Sequence, residues 1–305
     1  MSAKPINCDQ ADDPERFKAL TQRPKIAWPT ILLLIAAYGL FGVATFAYIE
    51  GILPLFWAML FNATASYLSF AVVHEAAHRA VSSNLQLNDW LGRTGILLLE
   101  PAPLLPVFRC VHMQHHRFTN DPTKDPDAYF GIGPAWLLPF KWMIFDVVYF
   151  KYYLKPEVFQ QRPKSERVEF YLATLFGALV ISAFTFAGWL EYYLLLFFIP
   201  TRITKFFIIW VFDFLPHYPH QTHAADDPFR STSNRVGLEW LLTPLFVYQN
   251  YHLVHHLYPR VPFYRYIKVW NAKKHYHLSQ NPAIVDNFSL DPGKADDGVI
   301  SGTTR

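Results

Sequence analysis

Two uncharged apolar runs lie close together near the N-terminus, Ile26 to Ile49 and Ile52 to Val73, 24 and 22 residues long and parted by Glu50 and Gly51. A helix needs about 20 apolar residues to cross a bilayer's hydrocarbon core, so the pair predicts a membrane hairpin with its tip at Glu50. A second pair follows, Phe170 to Leu190 and Tyr192 to Phe212, with Glu191 as the expected turn. Arg202 and Lys205 fall inside the last run, just after Pro200. Charges at that depth are costly unless protein, water or the interface receives them, so this helix is expected to be broken or tilted there. Between the hairpins, from His74 to Val168, the apolar pieces Ile96–Leu99 and Trp136–Phe150 are too interrupted to span and are expected on the membrane surface or over the helix ends. The pattern predicts an all-α polytopic membrane protein: about four transmembrane helices in two hairpins, with a helical cap. Residues 1–25 read as a polar arm, 26–280 as the membrane domain, and 281–305, rich in Asp, Gly and Lys, as a disordered tail.

Composition agrees with this pattern without deciding it. Of the 305 residues 52% are hydrophobic and 17% charged, against roughly a quarter charged in soluble domains. The distribution of Lys and Arg gives an orientation. Both hairpin tips lack them, whereas the N-terminal segment carries Lys4, Arg16, Lys18, Arg23 and Lys25, and the middle and C-terminal segments are also basic. The positive-inside rule predicts that both termini and the region between the hairpins are cytoplasmic. No cleavable signal peptide is expected, because the first 25 residues are polar. Cys8 and Cys110 fall on the side where disulfides are rare and receive no role. No nucleic-acid partner is expected.

The candidate chemistry lies in histidine. Of 13 histidines, eight form three tight groups: His74-Glu75-Ala76-Ala77-His78, His112-Met113-Gln114-His115-His116 and His252-Leu253-Val254-His255-His256. On a helix, positions i, i+3 and i+4 share one face, so each group can aim its imidazoles at one point. Pro106 is expected to open the helix of the second group and Asn120-Asp121-Pro122 to stop it. Thr243-Pro244 reads as an N-cap and first helical residue for the third, with Pro259 as its stop. His217 is a ninth candidate, four residues after Asp213, with Pro216 between them disturbing a regular helix. Packing gives no reason to gather so many imidazoles at helix ends, and protonated rings would repel one another. Neutral rings around a cation resolve that conflict. One catalytic zinc takes three protein ligands; eight or nine donors suit two ions.

Two rival readings meet specific objections. His74-Glu75-Ala76-Ala77-His78 matches the H-E-x-x-H zinc protease motif, but a protease leaves both triplets unused, and Asp297-Gly298 in the tail is too remote to supply a third ligand. Glu75 is then either a group behind the ligands or simply exposed. A metal transporter would place its ligands near the bilayer midplane, often in inverted repeats; here they sit at helix ends and no repeat is visible.

H-x-x-x-H followed by two H-x-x-H-H motifs, in this order and separated by membrane hairpins, resembles the membrane fatty acid desaturase superfamily of non-haem di-iron oxidases over about residues 25–275. The resemblance implies that His74, His78, His112, His115, His116, His252, His255 and His256 are iron ligands. It makes His217 a further ligand, with Asp213 where an asparagine would hold a metal-linked water. Iron comes from the resemblance alone, because imidazole also suits zinc, copper and nickel. The implied chemistry is reductive activation of O2 at two irons, without haem or bound nucleotide, followed by hydroxylation or desaturation at an unactivated carbon.

Local phrases narrow the likeness. Phe212-Asp213-Phe214-Leu215-Pro216-His217, Asn250-Tyr251-His252, Pro262-Phe263-Tyr264-Arg265-Tyr266 and Asp125-Pro126-Asp127 resemble cyanobacterial-type carotenoid β-ring hydroxylases, whereas His220 to Arg235 is less similar. The implied substrate is a carotenoid or, alternatively, an acyl lipid. His220, His223, His275 and His277 receive no catalytic role. No cytochrome b5 signature and no dinucleotide fingerprint is present, so a separate, ferredoxin-like electron donor is implied. Arg260, Arg265, Lys268, Lys273 and Lys274 form a basic face that either steers an acidic partner or touches anionic lipid.

Overall fold

The computed structural model describes residues 10–290; Lys4, Cys8 and residues 291–305 lie outside them. The polar arm contains a helix, α1 (Pro14–Thr21), whose first turn is capped by Asp13 accepting from the Arg16 N–H at 3.0 Å. Among the described residues, four helices are long and apolar enough to cross a membrane: α2 (Trp28–Ile49), α3 (Leu55–Ala77), α9 (Lys164–Phe186) and α10 (Leu190–His217). Their length and composition suit membrane spans. The four divide into two pairs. In their most apolar stretches α2 and α9 bury only 22% and 17% of residues, against 56% and 44% for α3 and α10. The outer pair therefore forms a lipid-facing sheath, and the inner pair carries the interior chemistry.

The first hairpin turns where expected, at Glu50 and Gly51, and Gly51 adopts φ 71°. The second turns at Gly188, φ 75°, and not at Glu191. A helix C-terminus favours a left-handed residue, which glycine adopts without penalty. Glu191 instead occupies the first turn of α10, where a carboxylate suits the helix dipole. Helix α9 starts at Lys164, ahead of the predicted Phe170, because its polar first turns are held by Arg162–Glu166 at 2.7 Å and Arg93–Glu169 at 2.6 Å.

The expected break in α10 is replaced by two π-helical turns, Leu194–Phe198 and Ile209–Phe214, each directly preceding a segment that contains a proline, Pro200 or Pro216. A wide turn absorbs the hydrogen bond that proline cannot donate. The Leu196 carbonyl, four residues before Pro200, accepts instead from the buried Asn62 side chain of α3 at 2.8 Å. Thr204 Oγ1 donates to the Ala63 carbonyl at 2.8 Å, so polar contacts join the inner helices where lipid offers no partner. Arg202 and Lys205 are received by protein: Asp146 accepts from them at 2.7 and 2.8 Å, and Glu100 also pairs with Lys205.

The segment between the hairpins forms α4 (Leu85–Ile96), α5 (Leu105–Phe118), α6 (Leu138–Met143), α7 (Phe145–Tyr153) and α8 (Pro156–Phe159). Helix α4 lies so close to α3 that a Cβ at Gly92 would fall 2.6 Å from Ala76 Cβ. After α10 come α11 (Glu239–Leu245), α12 (His252–Leu257), α13 (Tyr266–Ala272) and α14 (Lys274–Ser279). The fold is nearly all helical, as expected, with one small exception. Strand β1 (Ser233–Val236) pairs in parallel with β2 (Ala283–Asp286), Ser233 opposite Ala283. The expectation of disorder from residue 281 is therefore wrong for 283–286, where Ala283 and Val285 bury alternate side chains against the cap.

Candidate metal centre

Each histidine group sits near a helix end, by different local means. His74 lies in the last turn of α3 and His78 caps it. Helix α5 opens with Pro106 in its first turn, as expected, and ends at Phe118 before the left-handed Asn120, φ 66°. It carries His112, His115 and His116 on one face. The third group departs from expectation. Pro244 lies inside α11 and does not open the histidine helix. The chain then takes left-handed conformations at Val247 (φ 47°) and Tyr248 (φ 66°), makes a tight turn over Gln249–Tyr251, and starts α12 at His252. Thr243 is engaged otherwise: its hydroxyl accepts from Asn250 Nδ2 at 3.1 Å and its carbonyl from the Tyr248 N–H at 2.8 Å.

His217 ends α10 just after the second π-turn, so Pro216 does not displace it from the group. Terminal carbonyls of α10 are received by the β1 region: Thr232 Oγ1 donates to Pro216 O at 3.0 Å and the Arg235 guanidinium to Leu215 O at 3.0 Å. Arg235 also donates to Ser289 O at 2.7 Å, which ties the C-terminal strand to the helix that carries His217.

All nine predicted histidines converge, in two halves. One half holds His74, His78, His112 and His255, whose ring nitrogens lie within 4.8 Å of one another, with His116 Nε2 2.9 Å from His255 Nε2. The other holds His115, His217 and His256, likewise within 4.8 Å. His252 joins it through Nε2 contacts of 3.1 Å to His217 and 3.0 Å to His256. His78 and His112 Nε2 approach to 2.8 Å, and His115 and His217 Nε2 to 3.2 Å.

Three of the opposite ring nitrogens have partners outside the cluster, whereas His217 Nδ1 is buried without one. His115 Nδ1–H donates to Asp125 Oδ1 at 3.0 Å, with Asp127 Oδ2 3.5 Å away. His252 Nδ1–H donates to Gln249 Oε1 at 2.7 Å, and His255 Nδ1 meets the Tyr266 hydroxyl at 2.9 Å. Anchoring Nδ1 fixes the tautomer and turns the Nε2 lone pair inward. When His115 is neutral, it and His252 both present lone pairs to His217 Nε2, which has at most one proton to offer. His74 Nε2 is buried with no hydrogen-bond partner. Lone pairs that face one another, and a buried ring nitrogen with nothing to bind, are what a cation relieves.

Electrostatics point the same way. Burial pushes His112, His116, His252, His255 and His256 well below the usual imidazole range, so they are neutral and able to donate a lone pair. At His115 burial also acts downward, but the Asp125 and Asp127 carboxylates outweigh it and raise the ring to about 10. That corner favours positive charge, as a ring proton or as a bound cation. An all-imidazole donor set with anchored outer nitrogens suits iron among other transition metals, and nothing in its chemistry conflicts with two such ions.

Glu75 is neither exposed nor aimed at the histidines. Its carboxylate accepts from Thr30 Oγ1 at 2.8 Å and from the Phe263 backbone N–H. It braces α3 against α2 and the α13 approach, which removes the general base that a H-E-x-x-H protease needs. Asp213, expected as a water or supporting group, is buried in the second π-turn and lines a cleft beside His115 and His217. His220 and His223 line the same cleft. His275 pairs with Asp12 at 2.8 Å, and the buried His277 meets the Tyr258 hydroxyl at 2.8 Å.

The basic face is smaller than predicted. Arg265 is spent on the Leu20 and Gln22 carbonyls behind α1. Lys273 is buried, its ammonium 4.2 Å from the Tyr276 ring centroid. Sequence reasoning did not assign Gln249, Tyr266 or Tyr149, which donates to Asp127 Oδ2 at 3.0 Å. The spacing of Gln249, three residues before His252, was a usable signal; the others come from remote segments.

A fatty acid desaturase family model matches residues 50–285. The chain is 34% identical over 96 residues to an sn-1 oleoyl-lipid 12-desaturase of Arthrospira platensis, covering 31% of this chain and 26% of that protein. It is 29% identical over 219 residues to the dihydrorhizobitoxine desaturase of Bradyrhizobium elkanii, covering 63% and 60%. It is 26% identical over 199 residues to a zeaxanthin 4-ketolase of Chlamydomonas reinhardtii, covering 64% and 39%. The chain thus spans less than two thirds of the length of each of these relatives. The match over most of its length, together with the histidine groups and four apolar helices, places it: the chain belongs to the fatty acid desaturase family.

Proposed function

We propose that the nine histidines hold two iron ions and that the protein is an O2-dependent oxidoreductase acting on a C–H bond of a membrane lipid. The observation that carries this reading is the convergence of nine imidazoles into two adjacent halves with unshared lone pairs between them. His74, His78, His112, His116 and His255 hold one ion; His115, His217, His252 and His256 hold the other. Iron bound there supplies reductive activation of O2. The chain's own contribution is position and dryness.

An apolar slot of about 40 Å³ lies next to the rings, lined by Phe70, Phe108, Phe145 and Tyr149 among others. Phe108 stacks on His112 at 5.2 Å and Phe70 lies 6.1 Å from His74. No histidine lines the slot, which marks a dry aromatic flank of the centre. Lys205, Glu100 and Asp146 close the slot's polar end, and Arg202 on Asp146 balances the second carboxylate.

Carotenoid β-ring hydroxylation is the first reading of the substrate, supported by the sequence phrases around His217 and His252 and by the relative named as a zeaxanthin ketolase. Acyl-lipid desaturation is the second, favoured by the relatives named as lipid desaturases. Both place the metal side in the cytoplasm, where a separate reductant such as a ferredoxin delivers electrons; the exposed Arg260 and Lys268 suit an acidic donor. Expression in a bacterial host that accumulates β-carotene separates the two readings. Hydroxylated pigment is the expected product, whereas unchanged pigment with newly unsaturated membrane acyl chains overturns the first reading for the second.

A further inference from the structure

The two histidine halves differ in what surrounds them. Among the described residues, every carboxylate close to a candidate ligand ring belongs to the half of His115, His217, His252 and His256. Asp125 accepts from His115 Nδ1 at 3.0 Å, and Asp127 lies 3.5 Å from the same atom. Asp127 Oδ1 is buried without a hydrogen-bond partner. The third carboxylate, Asp213, is buried beside them. The other half has no such company. Its one outer anchor among the hydrogen bonds is the neutral Tyr266 hydroxyl on His255, and its nearest carboxylate in sequence, Glu75, is turned to Thr30 and Phe263. Arg109, which acts on His78, is paired with Asp89 at 2.5 Å.

Access is unequal in the same sense. A cleft of about 520 Å³ opens on this side of the cap, and Asp125, Asp127 and Asp213 line it. Of the nine histidines only His115 and His217 reach its wall. A dication entering this cleft meets Asp125, Asp127 and Asp213 on the same wall as His115 and His217. Negative charge around a ligand raises the affinity of a site for a cation, and a carboxylate on the outer nitrogen of a ligating histidine strengthens the donor. Acidic groups gathered on a cleft wall also favour the arrival of a cation.

We propose that the cleft is the ion-entry route and that the two halves load in order: the half of His115, His217, His252 and His256 fills first and more tightly, because Asp125, Asp127 and Asp213 surround it. The inference rests on the two-ion reading given above and adds an order and a cause to it. Asp213 and Asp127 act as positioning and charge-supplying residues; neither need touch the lipid.

Anaerobic titration of the metal-stripped, full-length protein in nanodiscs with Fe(II), and in parallel with Co(II) followed by its visible absorption, tests this directly. Two resolved steps are expected, the first about 10- to 100-fold tighter than the second, the range that such outer partners typically control. Asp213→Asn, and separately Asp127→Asn, should weaken the first step and slow its association while leaving the second unchanged. Glu157→Gln, at an exposed carboxylate of α8 that does not line the cleft, should change neither step. Two steps of equal affinity in the natural protein, or a first step untouched by either cleft variant, overturn the proposed order. Uptake of fewer than two ions overturns the underlying two-ion reading instead, so the two failures are distinguishable.

Discussion

The same five-residue pattern, H-x-x-H-H, is built twice in this molecule on unlike supports. His112, His115 and His116 ride on α5, 14 regular residues opened by Pro106. His252, His255 and His256 ride on α12, only six residues long and entered through two left-handed residues. A six-residue helix has little stability of its own. Its position comes from hydrogen bonds outside the helix: Asn250 donates to Thr243, His252 to Gln249, and Tyr266 lies against His255. One triplet is therefore specified by local sequence, the other by its surroundings. The contrast predicts that changes remote in sequence disturb the second triplet more than the first.

Removing a ring should erase the difference and have the largest effect. His115→Ala and His255→Ala are each expected to lose bound metal and activity together, as read by iron analysis and by product formation in the same preparations. Retention of both irons in either variant would break the assignment of that ring.

Next in size is the support of the C-terminal side. Arg235→Ala leaves the Leu215, Asn287 and Ser289 carbonyls without their donor. It is expected to lower stability by about 3 kcal/mol, the upper range for hydrogen bonds to a charged group. Thermal unfolding in nanodiscs measures this. Protection of α12 and the end of α10 from hydrogen exchange should fall while that of α5 holds; an equal loss in α5 would contradict the contrast.

The outer partners of the rings give smaller, graded effects. Asp125→Asn and Gln249→Leu are each expected to weaken metal retention by about 10- to 100-fold, measured by competition with a chelator. Asp125→Asn should act on the more electronegative half, where the carboxylate contributes charge as well as orientation. Tyr266→Phe removes a neutral hydroxyl from His255 and should cost only about 1 kcal/mol. A larger loss from Tyr266→Phe than from Asp125→Asn would reverse the ranking argued from charge.

What could be read from the sequence follows the same division. The four apolar helices and eight of the histidines were legible because each signal is local, an uncharged run or imidazoles three or four residues apart, whereas His217 rested on Asp213 four residues before it and on the family resemblance. Pro106 and Asn120 likewise bounded α5 correctly. Thr243-Pro244 misled because an N-cap signature was taken at face value while Asn250, seven residues on, claimed the threonine hydroxyl. Glu191 misled because charge was read as a turn, when the left-handed turn needed Gly188. The buried position of Arg202 and Lys205 depended on Asp146 and Glu100, which lie more than 50 residues away in the chain. The tail strand was missed because Ala283-Ile284-Val285 is short, and its value depends on β1 being there to pair with. The basic face shrank because Arg265 and Lys273 turn inward to α1, a contact that no spacing rule encodes.

The account stands on one quantity, the metal content of the intact protein. Full-length protein purified from iron-replete cells in mild detergent should contain about two irons per chain by elemental analysis, with His115→Ala as the depleted control. A single zinc per chain, undiminished in that control, would contradict the two-iron centre and everything derived from it.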